Sequence, residues 1–333
     1  MKHKKIIIAL ILSIIAISVI VIGEHAYRVS SIKREAKVVV NGDSITNSVK
    51  KFKCDDNQYV KGDGVHDDTT GIQNAIDSLN TVDGGVLLLP TGTYMVSSAL
   101  IIPSNKVTLQ GSNNSSTIIK AKVIMDKIIS CSNKVRISIR DIQINGDNKA
   151  NIGLYTSNVG MLRADNIVVQ KCLDKGIFLD NGTWMFNLDN VYVLNNVNYG
   201  MWVGDDCAGS KMNMVVAEEN GINLRIGYTR TILFTACTFQ RYKVAGNILV
   251  QAGWDITFDT CWFEASAVQV NGETYDIKLA PVFEGNTGHN IRILNSSFHG
   301  IWGATLTKTK HCIIDGYGDT TLTGNYIDGS QGG

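Results

Sequence analysis

Proline is almost missing from this chain: there are three in 333 residues, against thirty-two glycines. That balance points to many turns between ordered segments and away from a disordered chain. An excess of one charge is missing too. Thirty-one Lys and Arg meet thirty Asp and Glu, for a formal net charge of +1. A nucleic-acid partner would favour a strongly basic domain. The seven cysteines are an odd number for a disulfide framework, and their spacings fit no zinc pattern. Phosphate loop, nucleotide fingerprint and nucleophile elbow are absent. His66, His289, His299 and His311 are scattered, and each alone reads as structural. Cys237 and Cys261 alone recur at equivalent places in a repeat described below. They are expected to stack as buried free thiols, with a disulfide or a metal site as the alternatives.

One long apolar run is present. Met1 to Lys5 is basic, and Ile6 to Ile22 is apolar apart from Ser13 and Ser18. At a rise of about 1.5 Å per residue it nearly spans a bilayer core of about 30 Å. Residues 1–23 are therefore expected to form a transmembrane signal anchor. The alternative is a cleaved signal peptide, for which Glu24-His25-Ala26 is a poor cleavage site. Lys2, Lys4 and Lys5 place the N-terminus inside and the remainder outside the cell membrane; cleavage would instead give a secreted protein. Residues 24–60 read as a polar stalk, and 61–333 as a single domain.

That domain opens on a distinctive stretch. Gly62-Asp63-Gly64 leads through Asp67-Asp68-Thr69 into a short helix with Ile72-Gln73. Gly84-Gly85 then releases the chain into Val86-Leu87-Leu88-Leu89 and Pro90-Thr91-Gly92-Thr93-Tyr94. Asp67, Asp68 or Thr69 can supply the N-cap oxygen. Ile72, Ala75, Ile76 and Leu79 make one apolar stripe. Val86 to Leu89 reads as a strand buried on both faces that begins the first coil. The pattern resembles the N-terminal signature of the pectate lyase superfamily, in its rhamnogalacturonase and epimerase-like branch. The resemblance covers about 35 residues and implies a right-handed parallel β-helix. The fold also serves lyases, hydrolases, epimerases and phage tail spikes, so neither pectin nor catalysis follows from it.

The sequence beyond Val107 is periodic. Asp141-Ile142-Gln143-Ile144, Asn166-Ile167-Val168-Val169, Asn190-Val191-Tyr192-Val193, Asn213-Met214-Val215-Val216, Ala236-Cys237-Thr238-Phe239, Thr260-Cys261-Trp262-Phe263 and Asn295-Ser296-Ser297-Phe298 align. Their steps are 25, 24, 23, 23, 24 and 35 residues. The second and fourth positions of each face inward, and Ser296 is the polar exception. A second row opens with Gly176, Gly200, Gly221 and Gly246, each read as a bend with positive φ. Recurring strand pairs of this length are coils of a solenoid, each burying its apolar face against the next. The predicted fold is an all-β solenoid, a right-handed parallel β-helix with a short N-terminal capping α-helix, preceded by one transmembrane helix. Asparagines at the first position are expected to form a ladder. The long step predicts an insertion within Glu273 to His289.

Equivalent outward residues of adjacent coils lie about 4.8 Å apart. One column is read as Phe178, Trp202, Asn223, and the next as Asp180, Gly204 with Asp205 and Asp206, then Arg225. Aromatic rings can stack on sugar faces, and a guanidinium can pair a uronate carboxylate. A second surface is read as Val168, Tyr192, Val215, Thr238, Trp262, Ser297, beside Gln170, Leu194, Ala217, Gln240, Glu264, His299. Glu218, Glu219 and Arg241 follow at the turn. The catalytic candidates are Asp205, Asp206, Glu218 and Glu264. The substrate-binding candidates are Phe178, Asp180, Trp202, Arg225, Arg241 and Trp262. Asp205-Asp206-Cys207 is similar to the Asp-Asp-Cys of polygalacturonases, but no histidine follows before His289, so that assignment fails. A lyase would need a base such as Arg225, Arg241, Lys171 or Lys175. No cofactor is firmly implied. Ca²⁺ would suit a lyase, and Asp63, Asp67 and Asp68 can offer it hard oxygens, although capping explains them as well.

The expected function is an extracytoplasmic protein that cleaves a polysaccharide, uronate-containing or neutral, by hydrolysis or β-elimination. The alternatives are a non-catalytic glycan-binding or surface-structural protein, and a phage spike-like module.

Overall fold

The computed structural model describes residues 45–264, 275–280, 289–299, 311–316 and 319–327. They form a parallel β-solenoid whose strands stack in three rows. The first row runs Leu100–Ile102, Met125–Val135, Ala150–Gly160, Lys175–Asp180, Tyr199–Val203, Ile222–Thr235, Gly246–Asp259, Tyr275–Leu279 and His311–Asp315. Neighbours in that order pair in parallel. The second row starts at Ile45–Ser48 beneath Gly85–Leu89, and the third at Asp63–Asp67 beneath Gly92–Val96. The expected stalk therefore ends earlier than residue 60, because Ile45–Ser48 already pairs with the solenoid. Val49, Cys54 and Val60 are buried with it. Gly85–Leu89 is accordingly not the first strand of its row. It alternates buried and half-buried residues rather than burying both faces.

The capping helix α1, Thr69–Ser78, buries Ile72, Ala75 and Ile76. It stands over Leu100–Ile102, the first strand of the first row. Gln73 accepts the Ile101 N–H at 2.8 Å and donates to the Ile101 carbonyl at 2.9 Å. The helix thus satisfies a strand edge that has no preceding coil. Asp67, not Asp68, takes the Thr69 N–H at 3.1 Å. Asp68 is fully buried, and its two oxygens accept the N–H groups of Lys61 and Gly62 at 2.8 and 3.0 Å. Asp63 accepts Val65 and His66 N–H groups at 2.9 and 2.8 Å. The three carboxylates named for Ca²⁺ are each engaged in shaping this turn.

Corners between the second and third rows require a left-handed residue. Asp141, Asn166, Asn190, Met214, Ala236, Thr260 and Asn295 hold φ between 49° and 59° there. Asp and Asn tolerate that conformation best among residues with a side chain. The expected ladder forms on part of this line: Asn190 donates to Asn166 at 3.0 Å, and Asn166 to Asp141 at 2.7 Å. Asn213 lies one residue before the corner and donates to Asp189 instead. Met214 occupies the place assigned to it. That slip moves Val215 and Ala217 into the core and turns Val216 and Glu218 outward.

The glycines of the first row have another purpose than positive φ. A Cβ on Gly176 would lie 2.7 Å from Asn196 Nδ2, and one on Gly200 would lie 2.6 Å from Asn220 Nδ2. They make room for a buried amide ladder. Asn196 donates to Asn220, Asn220 to Asn223, Asn223 to Asn247, and Asn247 to Asp276, at 2.7–2.9 Å. Asn223 is thus fully buried, not outward as the spacing suggested. Phenylalanines stack from coil to coil inside, as in Phe234–Phe258 with centroids 4.6 Å apart and Phe263–Phe298 at 4.7 Å. Cys237 and Cys261 are buried and free. Ser296 satisfies its inward hydroxyl by accepting the Cys261 N–H at 3.0 Å and donating to the Leu294 carbonyl at 2.8 Å.

Within the window expected to loop out, Tyr275–Leu279 is a regular first-row strand. Residues 265–274 and 281–288, which flank it, lie outside the described residues, as does the expected membrane anchor at 6–22 with its signal-peptide alternative. Among the described residues, no helix is long and apolar enough to cross a membrane.

Candidate functional site

The outward face of the first row carries Tyr155, Phe178, Trp202 and Arg225 in direct register. Arg225 therefore belongs to the aromatic column and not to the acidic one. The column is a ladder of rings, with Tyr155–Phe178 centroids at 5.5 Å and Phe178–Trp202 at 5.2 Å. The Arg225 guanidinium lies over its upper end, 3.6 Å from the Trp202 ring centre. Its Nε donates to Gln251 at 2.6 Å. One edge of the fork is thereby fixed, and the outer nitrogens retain donors for a planar acid. Lys175 lies beneath the rings, with Nζ 4.7 Å from the Trp202 centroid and 5.1 Å from that of Phe178, and it pairs with Asp174.

Beside this ladder the chain turns at Gly204-Asp205-Asp206. A groove of about 540 Å³ opens there, lined by Phe178, Asp180, Trp202, Asp205, Asp206 and Arg225 among others. Six of the ten residues named from the sequence as site candidates are thus in one place. Two glycines make the acids possible. A Cβ on Gly204 would lie 2.9 Å from Asp180 Oδ1, and one on Gly227 would lie 2.7 Å from Asp205 Oδ1. Each carboxylate leans over the bare backbone of the next coil. Val203 and Ile226 are register partners, so Gly204 and Gly227 are one coil apart. The backbone positions over which the two carboxylates lean are thus about 5 Å apart, the coil spacing. The Tyr155 phenol donates to Asp180 at 3.1 Å, and the Tyr228 N–H to Asp205 at 2.9 Å. Burial, with Asp180 adding to it, holds the Tyr155 phenol above its ordinary pKa, so it stays a donor. Asp206 is exposed at φ 56°.

The other four candidates lie elsewhere, on the third row. Leu194, Glu218, Gln240, Glu264 and His299 form one register column there. Glu218 and Glu264 are two coils apart, as the spacing suggested. Glu218 is already occupied, however. Arg241 and Gln240 both donate to its Oε2. The Glu218 partner is also the main cause that raises the Arg241 pKa above its ordinary value. Glu264 accepts the Trp262 indole N–H at 3.2 Å, and Trp262 stacks on His299 with centroids 3.6 Å apart. The four catalytic candidates are thus divided between two faces. Arg241 and Lys175, each ion-paired, are poor bases.

Sequence reasoning missed Tyr155, Tyr228 and Gln251. Tyr155 was within reach: extending the first row back one coil from Phe178 lands on it.

Comparison with known proteins gives the same fold. The profile of the family described as "Rhamnogalacturonase A/epimerase, pectate lyase-like" matches residues 57–272. The preneck appendage protein of Bacillus phage PZA is 28% identical over 137 residues, 38% of this chain and 15% of that protein. Alginate lyase 7 of Azotobacter vinelandii is 46% identical over 67 residues, 18% of this chain and 8% of that enzyme. The chain therefore spans well under two thirds of both relatives. Among solved structures, the A-module of the mannuronan C-5 epimerase AlgE4 of Azotobacter vinelandii superposes with a TM-score of 0.58 at 19% identity. That match covers 84% of this chain and 95% of the module.

Proposed function

This chain belongs to the rhamnogalacturonase A/epimerase, pectate lyase-like family, and we propose that it binds a uronate-bearing polysaccharide in the Phe178–Trp202–Arg225 groove and cleaves it there. The observation that carries this reading is the register column, which sets a ring ladder, a stacked arginine and two acids on one wall. Tyr155, Phe178 and Trp202 repeat at the coil spacing and offer successive platforms to sugar rings. Arg225 pairs the uronate carboxylate with its outer nitrogens.

Asp180 and Asp205 do the acid–base work. The glycines they lean over are one coil apart, a spacing of the order used by retaining glycosidase carboxylates, about 5–5.5 Å. In elimination, the same pair removes the proton beside the uronate carboxylate and protonates the leaving oxygen, while Arg225 neutralises the carboxylate. Asp206 is the lesser candidate. We further propose that residues 6–22 hold the solenoid at the outer face of the cell membrane, which fractionation of cells after alkaline extraction would test.

The experiment is incubation with uronate-bearing and neutral glycans. Unsaturated ends report elimination, and new reducing ends without unsaturation report hydrolysis. Asp180→Asn and Asp205→Asn should each lower turnover by roughly a hundredfold or more. The incomplete polygalacturonase motif around Asp205-Asp206-Cys207, with no histidine between it and His289, supports a second reading, glycan binding without cleavage. Saturable binding with no product from any glycan would favour it.

A further inference from the structure

Three side chains of different chemistry meet beneath the first turn of α1, far along the chain from the groove. Cys54 Sγ, a ring nitrogen of His66 and a carboxylate oxygen of Asp68 lie within 4.8 Å of one another. They come from three separate pieces of the cap. Cys54 opens a tight turn in which its carbonyl accepts the Asn57 N–H at 2.9 Å. His66 lies on the strand Asp63–Asp67, and Asp68 is the residue that precedes α1. Cys54 is 8% exposed and Asp68 is fully buried. The His66 side chain is 11% exposed, with Nδ1 3.4 Å from Asp56 Oδ2. Its other nitrogen, Nε2, is enclosed and has no hydrogen-bond partner.

A buried ring nitrogen left unpaired is costly, and here the cause is local. Asp56 faces Nδ1, and a neutral ring with its proton on that side offers a lone pair at Nε2. A carboxylate on the far nitrogen is the device that orients a metal-bound imidazole. Asp68 accepts two backbone N–H groups, and a carboxylate has further lone pairs to give. A cleft of about 510 Å³, lined by Cys54, Asp56, His66 and Thr69 among others, reaches two of the three donors, Cys54 and His66. It supplies an entry path and room for water.

We propose that Cys54, His66 and Asp68 bind one zinc ion, with a water from the cleft as fourth ligand. Thiolate and imidazole suit zinc and not the hard cations calcium and magnesium. Tetrahedral zinc with bonds of about 2.0–2.3 Å holds its donor atoms about 3.3–3.8 Å apart, so a contraction of at most about 1.5 Å closes the site. As the S–Zn bond forms, Cys54 gives its proton to solvent. The ion would tie the Cys54 turn, the His66 strand and the start of α1 into one unit at the end of the solenoid.

The test uses the full chain without a histidine tag, loaded with zinc and dialysed against metal-free buffer. One zinc per chain by mass spectrometry is expected, with a higher melting temperature than the metal-stripped protein. Cobalt in place of zinc should give a thiolate-to-cobalt absorption band. That band should vanish in Cys54→Ala and His66→Ala and persist in Cys131→Ala. Should Cys54→Ala fail to fold, alkylation of the wild-type chain serves, because zinc must protect Cys54 in the peptide map. Absence of retained zinc, a cobalt band that survives Cys54→Ala, or unchanged alkylation of Cys54 would each overturn the proposal.

Discussion

The Arg225 guanidinium lies 3.6 Å from the centre of the Trp202 ring, one coil away in direct register. The contact turns a flexible cation into a fixed, planar acid receptor at the end of a ring ladder. A cation over an indole contributes about 0.5–2 kcal/mol. Trp202→Leu should therefore weaken binding of a uronate oligomer by roughly two- to thirty-fold. Arg225→Gln should weaken it further while sparing neutral oligomers. Calorimetry with both ligands checks the split.

Gly204 and Gly227 line the groove and leave room for the acids that lean over them. Gly227→Ala would place its Cβ 2.7 Å from Asp205 Oδ1, displacing the carboxylate from the Tyr228 N–H. Gly204→Ala would press on Asp180 in the same way at 2.9 Å. Both variants are expected to fold with parallel-β circular dichroism and to lose most turnover, with a smaller change in affinity.

Glu218 and Glu264 provide the opposite expectation. They face away from the groove, and Glu218 is neutralised by Arg241. Glu218→Gln and Glu264→Gln should leave turnover unchanged on any glycan that the groove cleaves. A large loss in either variant would move the site to the third row.

The buried amide ladder should dominate local stability. Asn223 donates to the Gln240 carbonyl at 2.8 Å and to Asn247 at 2.7 Å, and it accepts from Asn220 at 2.9 Å. Asn223→Ala orphans these partners in the core, at about 1–3 kcal/mol for each. A lower urea midpoint with an unchanged slope is the expected result.

The ladder ends on Asp276, whose pKa burial raises from 3.8 to about 8. Glu264 adds to the rise, and the Asn247 hydrogen bond opposes it. Between those two values the unfolded chain releases a proton that the folded chain keeps. Stability should thus fall as pH rises from about 4 to about 8, and flatten beyond. Asp276→Asn removes that slope. Melting temperatures of both proteins across this range provide the check.

Most of the fold was legible because it repeats. Apolar residues at alternate positions, recurring every two dozen residues, leave one way to bury their faces. Gln73 and the stripe of α1 marked the cap in the same manner. The site was half legible. Phe178, Trp202, Asp180 and Asp205 could be placed on one wall from spacing. Arg225 took the place assigned to Asn223, because Asn223 aligns with Gly200 and not with Trp202. Glu218 likewise took the outward place assigned to Ala217.

The sequence by itself determined the solenoid, its capped end and the family, since these rest on local pattern and on residues close in the chain. Only the tertiary structure decided which outward side chains share a column. A slip of one residue at a corner reverses inside and outside for the whole following strand. The one-residue slip at Met214 and the two-residue shift at Asn223 follow from backbone hydrogen bonds between coils about 24 residues apart, which no local spacing records. The column of Tyr155, Phe178, Trp202 and Arg225 exists because those bonds set the register.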